Sequence, residues 1–373
     1  VVTLVEAAVL LLSAISLGCF LLEKLRFRPA SGAEGLALGG ALGLGAMATG
    51  FFLLGQVGLF RGWVLGVAVL AVLPLGLRPA GDLAERLFST AGRLLRGAGR
   101  LGCTLLVLVL VLYAIRLLHC FSPPTMGHVD YDALEYHLAA PLEWLRSGFV
   151  SFLPHNAYAN MPAAAEMLYA PGLALAPGRW GGFHFVRLVG LGCSELAMLA
   201  VFAAARRLAG RRAALLAAVI FFAGTWLADL TVNPYVEPVL LLFVIASWTA
   251  LSAATARGRF DLFRMRTVGL LAGAACAAKY PALVLVAAPL ALAVLTAGLA
   301  LRQKPAKALT AAIAVGVMAL AVAGPWYLRN WISGGNPVYP LAGSVFTSPY
   351  WDGEKNERWK SEHSPKLSPP RAL

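Results

Sequence analysis

The sequence predicts an all-α, polytopic membrane protein, and three observations carry that prediction. Of its 373 residues, 59% are hydrophobic and 13% charged, with a mean hydropathy of +0.74. An ordinary soluble domain carries about 25% charged residues. Unbroken apolar runs approach the roughly 20 residues a helix needs to cross the hydrocarbon layer, where a membrane β-barrel would read as short alternating segments. The basic residues are gathered: 19 of the 31 Lys and Arg lie in five connectors, at 24–28, 78–100, 206–212, 257–266 and 302–307. Such clustering between apolar runs sets orientation in a bilayer.

The formal charge of +13 would suggest nucleic acid in a soluble chain. Here the basic stretches lack interleaved aromatics or a binding module, so no nucleic-acid partner is expected. Five dispersed cysteines, with no CxxC pair, give neither a zinc framework nor a disulfide scaffold. Ten membrane segments are expected, at about 4–22, 35–55, 59–77, 101–118, 183–205, 213–228, 236–253, 267–278, 281–301 and 308–324. The eighth is short and reads as a half-helix or re-entrant segment, tolerable where protein or water covers its end. Gly39 and Gly43 in the second permit close helix contact.

Four regions follow: N-terminal membrane helices (1–118), a long connector (119–182), further membrane helices (183–325) and a C-terminal segment (326–373). With the basic connectors on one face, the long connector lies on the other. It holds Asp130, Asp132, Glu135, Glu143 and Glu166 against only Arg146 and Arg179. Connectors this long are functional or disordered, and this one is too rich in Tyr, Trp, Phe and Pro for disorder. Pro123-Pro124 stop the preceding helix. Asp130 or Asp132 can cap a new one, on which Asp132, Glu135 and Tyr136 share a face at i, i+3 and i+4. Leu134, Leu138, Leu142 and Leu145 form its apolar stripe, so the helix is expected at the membrane interface. A carboxylate partly desolvated there can serve as a general base.

The motifs then follow in order. Asp132-x-x-x-Tyr136-His137-Leu138 is followed by Pro141, Trp144 and Phe152-Leu153-Pro154-His155-Asn156-x-Tyr158-x-Asn160-x-Pro162. Tyr235-Val236-Glu237, Ala278-Lys279-Tyr280-Pro281, Pro325-Trp326-Tyr327-x-x-Asn330-Trp331, Gly335-Asn336-Pro337-Val338-Tyr339-Pro340 and Trp359…His363-Ser364-Pro365 come after. From 127 to 365 this series resembles GT-C glycosyltransferases, and among them bacterial relatives of the protein O-mannosyltransferase and aminoarabinose transferase families. Relatives usually place one helix before the first outer loop, where this chain has four apolar runs, and continue beyond its last residues. The sequence thus reads as a shortened relative or as part of a longer chain.

The resemblance implies an integral protein of the bacterial inner membrane, with the long loop on the periplasmic face. It implies transfer of a sugar from a polyprenyl-phosphate donor to an acceptor. Asp132 matches the acid of the first outer loop that acts as base, and Glu166 is a candidate second catalytic acid that orients acceptor or donor, with a structural role as its alternative. Lys279 is the cation for the departing phosphate, with Arg329 a weaker candidate for the same role. Asp130, Tyr136, His155 and Glu237 are further substrate-binding candidates, Glu237 because an acid at the end of an apolar run is costly unless used. No cofactor is certain. His128, His137 and His155 match no metal motif, while a divalent cation bridging Asp132 and phosphate has precedent among superfamily members.

Blander readings stand beside these. Asp130 and Asp132 can be caps, Lys279 a snorkelling interface residue, and Arg329 part of an aromatic anchor belt. Glu195, mid-segment, has no motif and suits an interhelical hydrogen bond. Two other functions compete with the enzyme: a non-catalytic subunit with protein partners, and a lipid or solute transporter. A transporter would show paired interrupted helices in two related halves, and the sequence has one interruption and no repeat.

Overall fold

The structure is a computed structural model that describes residues 1–97, 99–122, 131–178, 180–258 and 260–364. Asp130 and His128 therefore lie outside the described residues. The bundle begins with α1 (Val2–Lys24) and α2 (Gly32–Gln56), an antiparallel pair. Ser31 caps α2 by accepting the Glu34 N–H at 3.2 Å, satisfying one orphan donor. α3 (Gly62–Val72) runs through a 3₁₀ turn at Leu73–Gly76 into α4 (Leu77–Gly97), and α5 (Gly99–Cys120) returns.

The long connector folds into α6 (Ala139–Ser147) and α7 (Ala164–Leu175), preceded by a π-helical turn over Ala133–Leu138. Four long helices follow: α8 (Gly181–Ala223), α10 (Glu237–Ala254), α11 (Leu262–Ala278) and α13 (Pro305–Gly334). The short α9 (Thr225–Val232), α12 (Ala288–Ala300) and the terminal α14 (Gly353–His363) complete the chain.

Eight of these helices are long and apolar enough to cross a bilayer. α8 holds two of the ten expected segments, since it is broken at Gly210, where φ is 84° and the backbone leaves the helix. At 1.5 Å per residue its 43 residues exceed one bilayer crossing about twofold. α11 is longer than expected but is not among the eight. It starts five residues earlier than expected, inside the basic connector, where Asp261 caps it by accepting from Phe263 N at 2.9 Å and Arg264 N at 3.3 Å. Its 17 residues span about 25 Å, close to a full crossing. The 78–100 connector differs too, being almost wholly helical. Leu83, Leu87 and Ala91 share one face of α4, while Asp82, Glu85 and Arg86 are exposed on another. That pattern suits a helix lying at the interface.

Lipid solvates no ion, and the charges gather at the two ends of the bundle, with Glu195 inside α8 an exception. At one end the five basic connectors meet. Glu34, buried, takes Arg207 at 2.5 Å, and Arg207 also donates to Ser252 Oγ at 2.7 Å. Arg264 donates to Ala253 O at 3.1 Å and sits over the Phe27 ring, while Lys307 sits over Phe260. Leu83 of α4 covers Gly35. The long connector and the C-terminal segment form the opposite end. Between the ends the core is aliphatic and aromatic, with Leu38, Leu44, Val189, Leu242, Phe243 and Leu271 excluded from solvent.

α1 and α2 approach so closely that a Cβ on Gly43 would lie 1.7 Å from Ala14 O. Small residues are what allow such contact in lipid, where close packing rather than hydrophobicity holds helices together. Gly43→Ala should therefore lower the apparent melting temperature in detergent and expose α1 to proteolysis. Gly50→Ala, on the same helix with open space around it, should be neutral or slightly stabilising. Equal melting of the two variants would mean the close approach does not matter to stability.

Candidate active site

Above the bundle, a buried polar network fixes the loop to the membrane helices. Asn160 is its centre. Its side chain accepts from Leu153 N at 2.8 Å and donates to Leu153 O at 2.8 Å and Asn156 O at 2.9 Å. Its carbonyl accepts from Arg329 Nη2 at 2.8 Å and Asn330 Nδ2 at 2.7 Å, both on α13. Asn330 also donates to the Tyr280 hydroxyl at 2.9 Å, and Tyr280 donates to Tyr339 O at 3.0 Å. Four separate chain segments are thereby joined. Phe52 of α2 packs on Trp326 of α13 below, with ring centroids 4.1 Å apart. At the near edge, Val150 N donates to Gly55 O and Phe60 N to Gly148 O. Arg61 donates to the last carbonyls of α6, Arg146 O at 2.9 Å and Ser147 O at 3.2 Å, where a cation opposes the helix dipole.

The network borders a small cavity. Tyr136, His137, Tyr158, Glu166 and Lys279 line it. Glu166 comes from α7, which is buried along most of its length and tethered by Tyr169, whose hydroxyl donates to Tyr235 O at 2.6 Å. Glu166 Oε1 lies 2.6 Å from His137 Nδ1, both residues buried. Lys279 Nζ donates to Glu237 Oε1 at 2.5 Å. In both acids the second oxygen, Oε2, is buried without a hydrogen-bond partner. A buried acceptor left unsatisfied costs about 1–3 kcal/mol, and Glu34 Oε1 at the opposite end shares this state.

Beside the cavity lies a more open cleft of about 630 Å³ between the loop and α14. Glu135, His155, Tyr158, Trp351, Arg358 and Trp359 are among its walls. Tyr158 belongs to both spaces. Its ring stacks on Tyr136 at 5.2 Å and lies 4.9 Å from Trp359, and its hydroxyl meets His363 Nε2 at 3.3 Å. α14 is pinned to the loop by these rings.

The structure brings Glu166, Tyr136 and Lys279 into one cavity and sets Glu237 against Lys279. Asp132 is half-buried next to it. Burial pushes the Tyr136 hydroxyl well above the ordinary phenol value, and the charges of Asp132, Glu166 and Glu237 push the same way. Three acids therefore converge on one phenol. The Tyr158 hydroxyl is raised as well, by burial and then by Glu362 and Asp132. Asp132 makes no side-chain cap hydrogen bond. The π turn that follows it also changes the expected register, because a wider helix turns Tyr136 and His137 together toward the cavity rather than aligning residues at i+3. Such turns occur often at functional sites.

Two candidates stand apart. His155 is exposed in the cleft, 3.1 Å from Glu143. Arg329 is buried and spent on Asn160, Asn330 and the Trp326 ring, so it clamps the loop and does not line the cavity. His137 was legible only as a motif member. Its use depends on Glu166, 29 positions away, which no local pattern announces. Among the described residues, no three His, Cys, Asp or Glu side chains come together to hold a metal ion.

The family described as dolichyl-phosphate-mannose-protein mannosyltransferase matches residues 180–327. The matched stretch contains Glu237, Lys279 and Trp326 and begins after Asp132 and Glu166. The match supports a GT-C superfamily membrane glycosyltransferase, held in the bilayer by its apolar helices. No curated protein and no solved structure matches the chain.

Asn160→Ala should be costly, because it strands the Leu153 N–H in a buried setting, at about 1–3 kcal/mol for each group left unpaired. A lower apparent melting temperature, with faster proteolysis of the 148–160 segment, is the expected result. Wild-type stability and protection would remove Asn160 from the centre of the network.

Proposed function

We propose that this protein transfers a sugar from a polyprenyl-phosphate donor to an acceptor hydroxyl on the membrane face opposite the basic connectors. One observation carries the reading: the cavity that holds Lys279 and the Glu166–His137 pair shares Tyr158 as a wall with an aromatic cleft beneath α14. The donor's phosphate sits at Lys279, at the outer end of α11, where a lipid tail can remain in the bilayer. The acceptor enters from the cleft beneath α14. Asp132 stands between them, beside the two tyrosines that line the cavity.

In the reaction the acceptor oxygen attacks the anomeric carbon and its proton passes to the Asp132 carboxylate. The bond from that carbon to the phosphate oxygen breaks, and the electron pair leaves with the polyprenyl phosphate. Lys279 stabilises the charge that develops on that oxygen. His137, held by Glu166, hydrogen-bonds a donor oxygen. The unpaired Oε2 atoms of Glu166 and Glu237 are acceptors for sugar hydroxyls, which accounts for carboxylate oxygens left buried without partners. Among the described residues no three metal-ligating side chains converge, so a divalent cation would have to be held by few protein ligands, as magnesium often is. Asp132 is the residue that would hold it, and the cation would neutralise phosphate charge.

Asp132→Asn retains the side chain's size and removes the base. Since Asp132 caps nothing, folding should be unaffected and turnover should fall by about 10²–10⁴, measured on purified protein with a panel of polyprenyl-phosphate sugars. Full activity in the variant would sink the mechanism.

The basic connectors face the cytoplasm of a bacterial inner membrane in this reading, and the loop faces the periplasm. In a background without the native cysteines, Ser151→Cys should react with an impermeant thiol reagent in intact cells. Lys24→Cys should react only after lysis. The reverse pattern would place the loop on the cytoplasmic side and remove the outer-face donor.

A further inference from the structure

A further cavity, of about 160 Å³, lies at the other end of the bundle, between α2, α4, α5 and α8. Its walls are apolar, with Leu87, Leu105, Leu199, Phe202 and Val219 among them. From Met198 to Arg206 along α8 it runs about 12 Å, most of the depth of one leaflet's hydrocarbon, which is about 15 Å. α5 forms one wall of it and is only 11% buried in the protein, so the cavity lies beside a helix that faces the acyl chains.

Arg206 lies at the rim, with Ser31 and Thr90, at the level of the basic connectors. Its neighbour Arg207 is fully engaged by Glu34 and Ser252. Arg206 has no ion-pair or hydrogen-bond partner among the described residues. A guanidinium at the edge of a low-dielectric groove favours an anion with several oxygens. The surroundings add to this preference: the five connectors hold 19 basic residues against Asp82, Glu85 and Asp261 alone. Basic clusters at the membrane surface attract anionic lipid headgroups.

We propose that this cavity binds an anionic phospholipid of the leaflet at the basic end. One acyl chain lies between α5 and α8, and the phosphate rests on Arg206. The site is distinct from the proposed donor cavity, which is lined by other residues at the opposite end of the bundle. α4 would lie over the headgroup level as a cover, its Leu87 on the chain.

The test is native mass spectrometry of the full chain released from nanodiscs of equimolar phosphatidylglycerol and phosphatidylcholine. Wild type should retain one phosphatidylglycerol in clear preference to phosphatidylcholine. Arg206→Ala should reduce that preference by about tenfold, the size of one charge-assisted contact. Arg211→Ala, an exposed connector arginine, should leave it unchanged. Leu105→Trp, which fills the groove without touching the charge, should remove the retained lipid whatever its headgroup. An unaltered phosphatidylglycerol preference in Arg206→Ala, or an unaltered retained lipid in Leu105→Trp with thermal stability intact, would overturn the proposal. Loss of lipid in Arg211→Ala equal to that in Arg206→Ala would also overturn it, by reducing the effect to bulk charge.

Discussion

The outer half of the molecule depends on one buried carbonyl, that of Asn160, which accepts from Arg329 and Asn330 together. A loop cannot be laid into the top of an apolar bundle unless its backbone groups find partners, because neither lipid nor core supplies any. Asn160 solves this locally by serving Leu153 and Asn156, and α13 completes it from below. Fixing that point fixes the start of α7, and with it the position of Glu166 at the wall of the cavity. Most polar groups of the network find partners, which favours one geometry, although Arg329 Nη1 is buried without one.

Charge supplies the second constraint. An ion near the bilayer is tolerable when paired or at a water boundary, and the chain uses both solutions. Glu34 and Arg207 close the basic end, and Glu237 with Lys279 closes the loop end. The pairs differ in what surrounds them. Glu34 is sealed within helix termini and has a structural role, while Lys279 lies against a cavity. In the proposed reaction Lys279 would need a counter-charge when phosphate is away, and the Glu237 carboxylate at 2.5 Å supplies one.

Composition and the basic connectors made the helical membrane class legible, since both follow directly from the absence of water in the bilayer. The segments were legible wherever lipid or core demanded an apolar run. They were less so where helix continued into polar sequence: α4 is amphipathic and α11 begins among arginines, so hydropathy ends before the helix does. The π turn at Ala133–Leu138 was not legible, because helical periodicity assumes one register. Asp132, Glu166, Lys279 and Glu237 could be picked out as costly or motif-bound polar residues. Their partners could not. That Arg329 serves Asn160, and that Glu166 holds His137, are tertiary facts between residues 169 and 29 positions apart.

The motifs acquire a physical meaning once the partners are known. Asn160, Tyr280, Asn330 and Tyr339 sit in four of the short signatures that first marked the resemblance, and they are consecutive members of one hydrogen-bonded chain. Those signatures therefore encode the scaffold of the site as much as its chemistry. Lys279 precedes Tyr280 in sequence, and Lys279 faces the cavity while Tyr280 turns into the network. The network thus positions the cation through a single peptide link. The same logic holds at Asn160, which lies three residues below Ala163 at the cavity wall. Residues that never touch a substrate set the spacing between the proposed acid, base and phosphate groups. That spacing is what a displacement reaction requires, because attack and departure must fall on opposite sides of one carbon.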